Sequence, residues 1–258
     1  MRITIDITKS LEKNAADYFE KAKKAKHKLE GAKQALKESK NKLAKLEQEL
    51  KIKQEKEKNK KPPRKKSWYE KFRWFYTSEN FLVIAGRDAT TNEIIIKKHT
   101  DKNDIVFHTE LPASPFAVLK TEGKKPGKIS LEEAAQFTGV YSKAWTSGRT
   151  VADIFYVNPE QVSKEAPSGE YIAKGAFMIY GKKKFLTPVL KLFIGKMKDN
   201  KIMSGPETAV KKHCSRYIEI IQGKEKTSVV AKKIKSILEA DDLDEIIRII
   251  PQGSKLKQ

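Results

Sequence analysis

The chain has 258 residues and carries 54 Lys and Arg against 33 Asp and Glu, a net charge of +21, so its field favours polyanionic partners and makes their binding salt-dependent. No apolar run approaches the ~18 residues a membrane span requires, and the opening MRITIDITKS lacks the apolar stretch of a secretion signal. The single cysteine, Cys214, excludes an internal disulfide framework, and the composition reads as that of a cytoplasmic protein with no membrane partner. In chain order, residues 1–61 read as a coiled-coil arm. A short β-like segment, ITIDIT, leads to Ser10, placed to cap a helix. Ala15, Ala22, Leu29, Leu36, Leu43 and Leu50 then occupy one heptad core position, and Leu11, Tyr18, Ala25, Ala32, Ser39 and Leu46 the other. At about 1.5 Å per residue such a helix projects roughly 60 to 70 Å. The small residues at 25, 32 and 39 imply a close partner helix, supplied by a second chain or by a missing upstream segment. Pro62 and Pro63 are expected to end the helix.

Residues 66–81, KSWYEKFRWFYTSENF, interleave seven aromatics with Lys66, Lys71 and Arg73. Two readings compete. The rings stack on bases while the cations neutralise phosphate, or they form a core anchor, since Phe72, Phe75 and Tyr76 stand at helical spacing from Trp68. Their position between the broken helix and the first strand favours the anchor, with Trp68 and Trp74 as structural rings.

FLVIAG, EIIIKKH, DIVFH and FAVLK read as strands, with residues 86–92 as a hairpin-like turn. Ser130, with Glu133 three residues on, reads as the cap of an amphipathic helix along SLEEAAQFTGVYSKAW. ADIFYV and AFMIYG read as further strands. Residues 62–187 are therefore expected to form an α+β domain, a mixed or antiparallel β-sheet with packed helices. In residues 188–258, a C-terminal α+β extension, PVLKLFIGK and SRYIEII read as strands and ETAVKKHC and SVVAKKIKSILEA as helices, while GSKLKQ reads as a disordered basic tail.

Catalytic motifs are missing from this sequence. His27, His99, His108 and His213 do not fall at metal-ligand spacings, so no metal is expected. GKKPGK at 123–128 has one residue too few between its glycines for a phosphate loop and is followed by Ile129 where a Ser or Thr is needed. No cofactor and no catalytic residue is expected. The candidate RNA contacts are Arg87, His108 and the run Lys182, Lys183 and Lys184 on a turn after Gly181, completed by Lys97, Lys98, Lys120 and Lys164. Asp88 and Asp104 read as loop-organising partners, Asp88 of Arg87 and Asp104 of His108.

WYEKFRWFYTSENFLVIAGRDATTNEIIIKK at 68–98, DIVFH at 104–108, YSKAW at 141–145 and SKEAPSGEYIAKGAFMIYGKKKFL at 163–186 together resemble the NFACT family. The resemblance extends back to the NAADYF entry of the arm. It implies a ribosome-associated quality-control factor whose coiled coil and RNA-binding domain engage large ribosomal subunit RNA and tRNA on obstructed subunits, in support of rescue and C-terminal tailing. It implies no enzyme in the usual sense, because peptidyl transfer stays with the ribosome. The family's tRNA-selecting N-terminal domain and the first helix of its coiled-coil hairpin have no counterpart in this sequence. Ala113, in LPASPF, stands where many members have glycine. The competing reading is a coiled-coil dimerisation scaffold with general nucleic-acid affinity.

Overall fold

The computed structural model describes residues 3–58, 66–112, 114–165 and 171–257, the stretch 52–58 as backbone alone. The chain falls into two compact units, residues 1–65 and 66–258. The expected helix break at Pro62 and Pro63, and the departure at Ala113, lie outside the described residues.

The first unit is one helix, α1 (Leu11–Lys58), with a strap folded back on its first turns. Ser10 Oγ accepts from Lys13 N–H at 3.3 Å, the cap the sequence anticipates. The ITIDIT segment forms no strand, and its last two residues, Ile7 and Thr8, lie in a turn closed by Lys9 N–H donating to Asp6 C=O at 3.1 Å. Instead, Asn14 Oδ1 accepts from Asp6 N–H at 2.9 Å while its amide donates to the carbonyls of Asp6 and Ser10 at 2.9 and 3.1 Å. Tyr18 Oη accepts from Thr4 N–H at 3.0 Å and donates to Thr4 C=O at 2.7 Å. Two helix side chains thus satisfy backbone groups that a sheet neighbour would otherwise pair. Beyond the strap, Leu29, Leu36, Leu43 and Leu50 are 55–60% exposed, so the heptad row has no partner among the described residues.

The second unit begins with a 3-10 turn at Trp68–Lys71. There follow β1 (Arg73–Tyr76), β2 (Leu82–Ala85), α2 (Ala89–Lys98), β3 (Ile105–Thr109), β4 (Ala117–Lys120), α3 (Lys128–Val140), α4 (Lys143–Thr146) and β5 (Ile154–Val157). Next come β6 (Val162–Ser163), β7 (Met178–Ile179), β8 (Lys184–Leu186), β9 (Leu192–Met197), β10 (Ile202–Gly205) and α5 (Glu207–His213). The chain closes with β11 (Cys214–Gln222), α6 (Thr227–Leu238), α7 (Leu243–Ile249) and β12 (Ser254–Leu256). Antiparallel pairing builds a six-stranded sheet of order β1-β2-β4-β3-β5-β8 and a four-stranded sheet of order β10-β9-β11-β12. The two sheets meet where β1 lies beside β10, with Tyr76 N–H directed at Met203 Sδ at 3.4 Å. Phe75, Phe107, Phe137 and Ile154 share one apolar cluster with Leu192, Ile194, Ile202 and Ile234. Residues 188–258 therefore complete the core of the preceding domain. Each such side chain contributes roughly 1.5 to 3 kcal/mol on burial.

Several elements differ from the sequence reading. EIIIKK is helical. Asp88 Oδ1 accepts from Thr91 N–H at 2.8 Å, Thr91 Oγ1 accepts in return from Asp88 N–H at 2.9 Å, and Asn92 and Ile95 turn into the core. That reciprocal cap and the burial of one face outweigh the strand preference of three consecutive isoleucines. The aromatic block does not form a helix either. Ser67 and Glu70 box a single 3-10 turn, after which β1 pairs with β2, and Tyr69, Phe72, Trp74 and Phe75 are all buried. Ser130 is not a cap, because α3 starts after Gly127; Ser130 Oγ instead reaches Thr77 Oγ1 at 3.0 Å, and Glu133 accepts from Ser78 N–H at 2.8 Å. AFMIYG contributes only the two residues of β7. Finally, GSKLKQ is ordered over β12, which closes the open edge of β11. There Ser254 Oγ accepts from the Trp145 indole at 3.1 Å and donates to Pro251 C=O at 2.8 Å.

Candidate nucleic-acid interface

The β2–α2 junction shapes a cleft of about 1170 Å³ in the second unit. Gly86 is obligatory there, because a Cβ would lie 1.9 Å from Asn92 Oδ1, the atom that accepts from Phe116 N–H at 3.1 Å. Across the cleft Gly175, at φ +79, backs onto Ala89, whose Cα would stand 2.4 Å from an added Cβ. Five cations line the space, Arg73, Arg87, Lys143, Lys174 and Arg248, against the carboxylates Asp88 and Glu110. Both carboxylates also have other partners, although Asp88 still attracts Arg73 and Arg87. Asp88 caps α2, and the Thr91 backbone N–H holds its pKa below the usual range. Glu110 pairs with Lys183 at 3.0 Å.

Arg73 enters from the first position of β1 and lies over the Tyr141 ring at 4.5 Å. Its Nη1 donates to Gly86 C=O at 2.7 Å, while its Nε is buried with no partner. Burial, and then repulsion from Arg87, lower the Arg73 pKa against attraction from Tyr141. Tyr141 is locked beneath it, donating to Ile249 C=O at 2.6 Å with Ser204 Oγ at 2.8 Å, and burial pushes its phenol up to about 12. Arg87 Nη2 donates to the carbonyls of Glu70 and Lys71, and burial followed by repulsion from Arg248 lowers its pKa. The guanidiniums of Arg73, Arg87 and Arg248 thus form a like-charged series. None of the three is ion-paired with a carboxylate among the described residues.

The other anticipated contacts divide by how their charge is held. Lys98, Lys182 and Lys184 are exposed, Lys184 with its ammonium 5.7 Å over Tyr156. Lys97 lies 3.9 Å from Glu93, and Lys183 sits 4.5 Å over the Phe155 ring while pairing with Glu110. Lys120 and Lys164 are tied to partners within the protein, Lys120 largely buried and Lys164 partly exposed. Lys120 bridges Asp104 and Asp101, and Lys164 binds Glu93 at 2.9 Å and the carbonyls of Ala173 and Ala176 at 2.8 and 2.9 Å. His108 stacks on Phe116 at 4.0 Å, and burial brings its pKa down to about 4, so it is neutral at pH 7. Asp104 accepts from Asp101 and Thr121 N–H at 2.7 and 3.0 Å and so organises a loop through Lys120 rather than through His108. Trp68 stacks on His99 at 4.6 Å, and Trp74 is buried. Among the described residues no group of His, Cys, Asp and Glu is arranged to hold a metal, and no helix is long and apolar enough to cross a membrane.

Sequence reasoning missed Arg248, Lys174 and Lys143 as members of the cleft. Arg73 was in view, inside the aromatic and basic block, but a helical reading of that block hides that it begins a strand. Arg248 leaves no local signal, because only the packing of α7 brings it to Arg87.

Residues 71–181 match the NFACT protein RNA binding domain. Over 201 residues the chain is 42% identical to the archaeal Rqc2 homolog aRqcH of Methanocaldococcus jannaschii, covering 75% of this chain and 30% of that protein. The human ribosome quality control complex subunit NEMF is 38% identical over 180 residues, 68% of this chain and 16% of its own length. The chain therefore spans less than a third of either relative. The C-terminal part of the fibronectin/fibrinogen-binding protein from Streptococcus suis aligns with a TM-score of 0.40 at 17% identity, covering 51% of this chain and 49% of that one. That likeness is too slight to bear on fold or binding.

Proposed function

The chain belongs to the NFACT family, and from that membership we propose that it is an RNA-binding module of a ribosome-associated quality-control factor. One observation carries the reading. The match to the RNA-binding domain, residues 71–181, contains Arg73, Arg87, Lys143 and Lys174, cleft cations without a carboxylate partner among the described residues. In this reading the second unit lies against large-subunit RNA and tRNA in the cytoplasm, and supports rescue and tailing of stalled chains. Peptidyl transfer remains the ribosome's chemistry. The protein contributes positioning, an entropic effect, and no enzymatic step of its own.

The test is co-sedimentation of the full chain with purified large ribosomal subunits across a salt series. Association is expected at low salt and is expected to fall steeply as salt rises. Absence of any association at low salt overturns the reading. A second reading, a dimerising scaffold, is favoured by the unpartnered leucine row of α1. It expects concentration-dependent self-association in sedimentation equilibrium together with no binding to RNA.

A further inference from the structure

We propose that the cleft between the β2–α2 junction and α7 is a phosphate site that seats one unpaired ribonucleotide. Arg73, Arg87 and Arg248 receive the phosphate, and the proline and phenylalanine wall receives the attached sugar and base. The proposal rests on the RNA-binding reading and gives it a location and a ligand class.

Three independent features converge on an anion. The first is the Arg73 guanidinium, whose Nη1 is taken by Gly86 while its Nε is buried without a partner; an unmet buried donor on a cation is costly, and an incoming oxyanion relieves that cost. The second is charge. Arg87 is repelled by both Arg73 and Arg248, an effect that Asp88 offsets only in part, and the cleft's two carboxylates also serve as a helix cap and as the partner of Lys183. Arg side chains remain protonated and present planar forks suited to phosphate oxygens. The third is pre-organisation. Arg73 is held over the ring of Tyr141, whose hydroxyl is tied to Ile249 and Ser204, and Arg87 is fixed by the carbonyls of Glu70 and Lys71. Two of the three guanidiniums therefore need little ordering on binding.

The remaining surface fits a nucleotide better than a bare ion. The volume, about 1170 Å³, is somewhat above the range of roughly 300 to 1,000 Å³ for small-ligand sites. Pro112, Pro115, Phe116 and Phe177 form an apolar wall, with Phe177 edge-on to Phe116 at 5.3 Å. Phe116 and Pro115 are already buried, so Pro112 and Phe177 supply the accessible part of that wall, which a bare phosphate would leave uncovered. A base in a duplex is stacked and paired, so an unpaired or looped nucleotide is the form able to enter.

The experiment uses the full chain, a short unpaired oligoribonucleotide, the same sequence as a duplex, a 5′-mononucleotide and inorganic phosphate. The variant is Arg248→Gln with Lys174→Gln, two exposed side chains of the cleft. A control of equal charge loss is Lys124→Gln with Lys125→Gln, on the exposed turn before α3. The unpaired oligonucleotide is expected to bind more tightly than the duplex. The mononucleotide is expected to compete at lower concentration than inorganic phosphate. The cleft variant is expected to lose about tenfold or more in affinity for the unpaired strand and to lower its salt slope by about 1.4. Its melting temperature without ligand should be unchanged or higher, because like-charge repulsion is reduced. The control should bind as the parent does, within about twofold. Equal losses in the cleft variant and the control overturn the proposal, as does an unchanged affinity in the cleft variant. Large-subunit co-sedimentation run alongside separates the two readings. Retained ribosome binding with no oligonucleotide binding overturns the cleft alone, and loss of both overturns the RNA-binding reading with it.

Discussion

Lys120 keeps its charge inside the protein. Its side chain is 10% exposed and bridges Asp101 and Asp104, and the Asp104 side chain is 1% exposed. Asp104→Ala leaves that ammonium without its buried partner and two backbone N–H groups without an acceptor. A loss of about 3 to 5 kcal/mol is expected in urea denaturation, with partial recovery when Lys120→Met is added. His108 is governed by burial in the opposite sense. Its folded pKa is about 4 against an ordinary 6.5, with nearby Lys183 acting in the same direction. Between those values the unfolded chain binds a proton that the folded chain does not, so stability rises with pH from about 4 to 6.5 and is flat above. The full contribution is up to about 3 kcal/mol. Denaturation at pH 5 and pH 7 should show His108→Phe less sensitive to the change than the parent. Equal sensitivity would place the histidine in contact with water.

At the level of elements, α2 depends on its entry. Asp88→Ala removes the side-chain acceptor for Thr91 N–H, and about 1 kcal/mol of stability should be lost, measured by thermal or urea unfolding. The same element explains what a reader of the sequence can and cannot see. FLVIAG, DIVFH and FAVLK are legible as strands because short β-branched runs between turn residues have few alternatives. EIIIKK misleads because its strand preference is local, while the cap at Asp88 and the pocket for Ile95 are supplied by context. Ser254 shows the limit more sharply. Nothing in GSKLKQ signals a strand, and its order comes from the open edge of β11 and the indole of Trp145, more than a hundred residues earlier. The cleft was legible to the same degree. Arg87 follows a recognisable strand, whereas Arg248 reaches it only through the packing of α7.

For the whole molecule, charge is divided unevenly. Residues 1–65 hold 21 of the 54 Lys and Arg and 10 of the 33 acidic residues, so roughly half of the excess positive charge sits on a quarter of the chain. Long-range attraction to polyanions and selective contact are therefore separable properties. Replacing Lys182, Lys183 and Lys184 together with glutamine should lower the salt slope for long RNA by up to about 3 units, measured by filter binding across a salt series. An unchanged slope assigns all three to solvent. Lys183 is the least available of them, because it is paired with Glu110.

The strap held by Asn14 and Tyr18 bears on where the seam of the arm begins. Tyr18 belongs to the heptad row, yet its hydroxyl is joined to Thr4. The row itself stays open there, with Leu11 76% and Tyr18 40% exposed. The strap therefore orders the entry of the helix without closing its seam, and a partner helix can run past it along the ring of Tyr18 while the hydroxyl stays tied to Thr4.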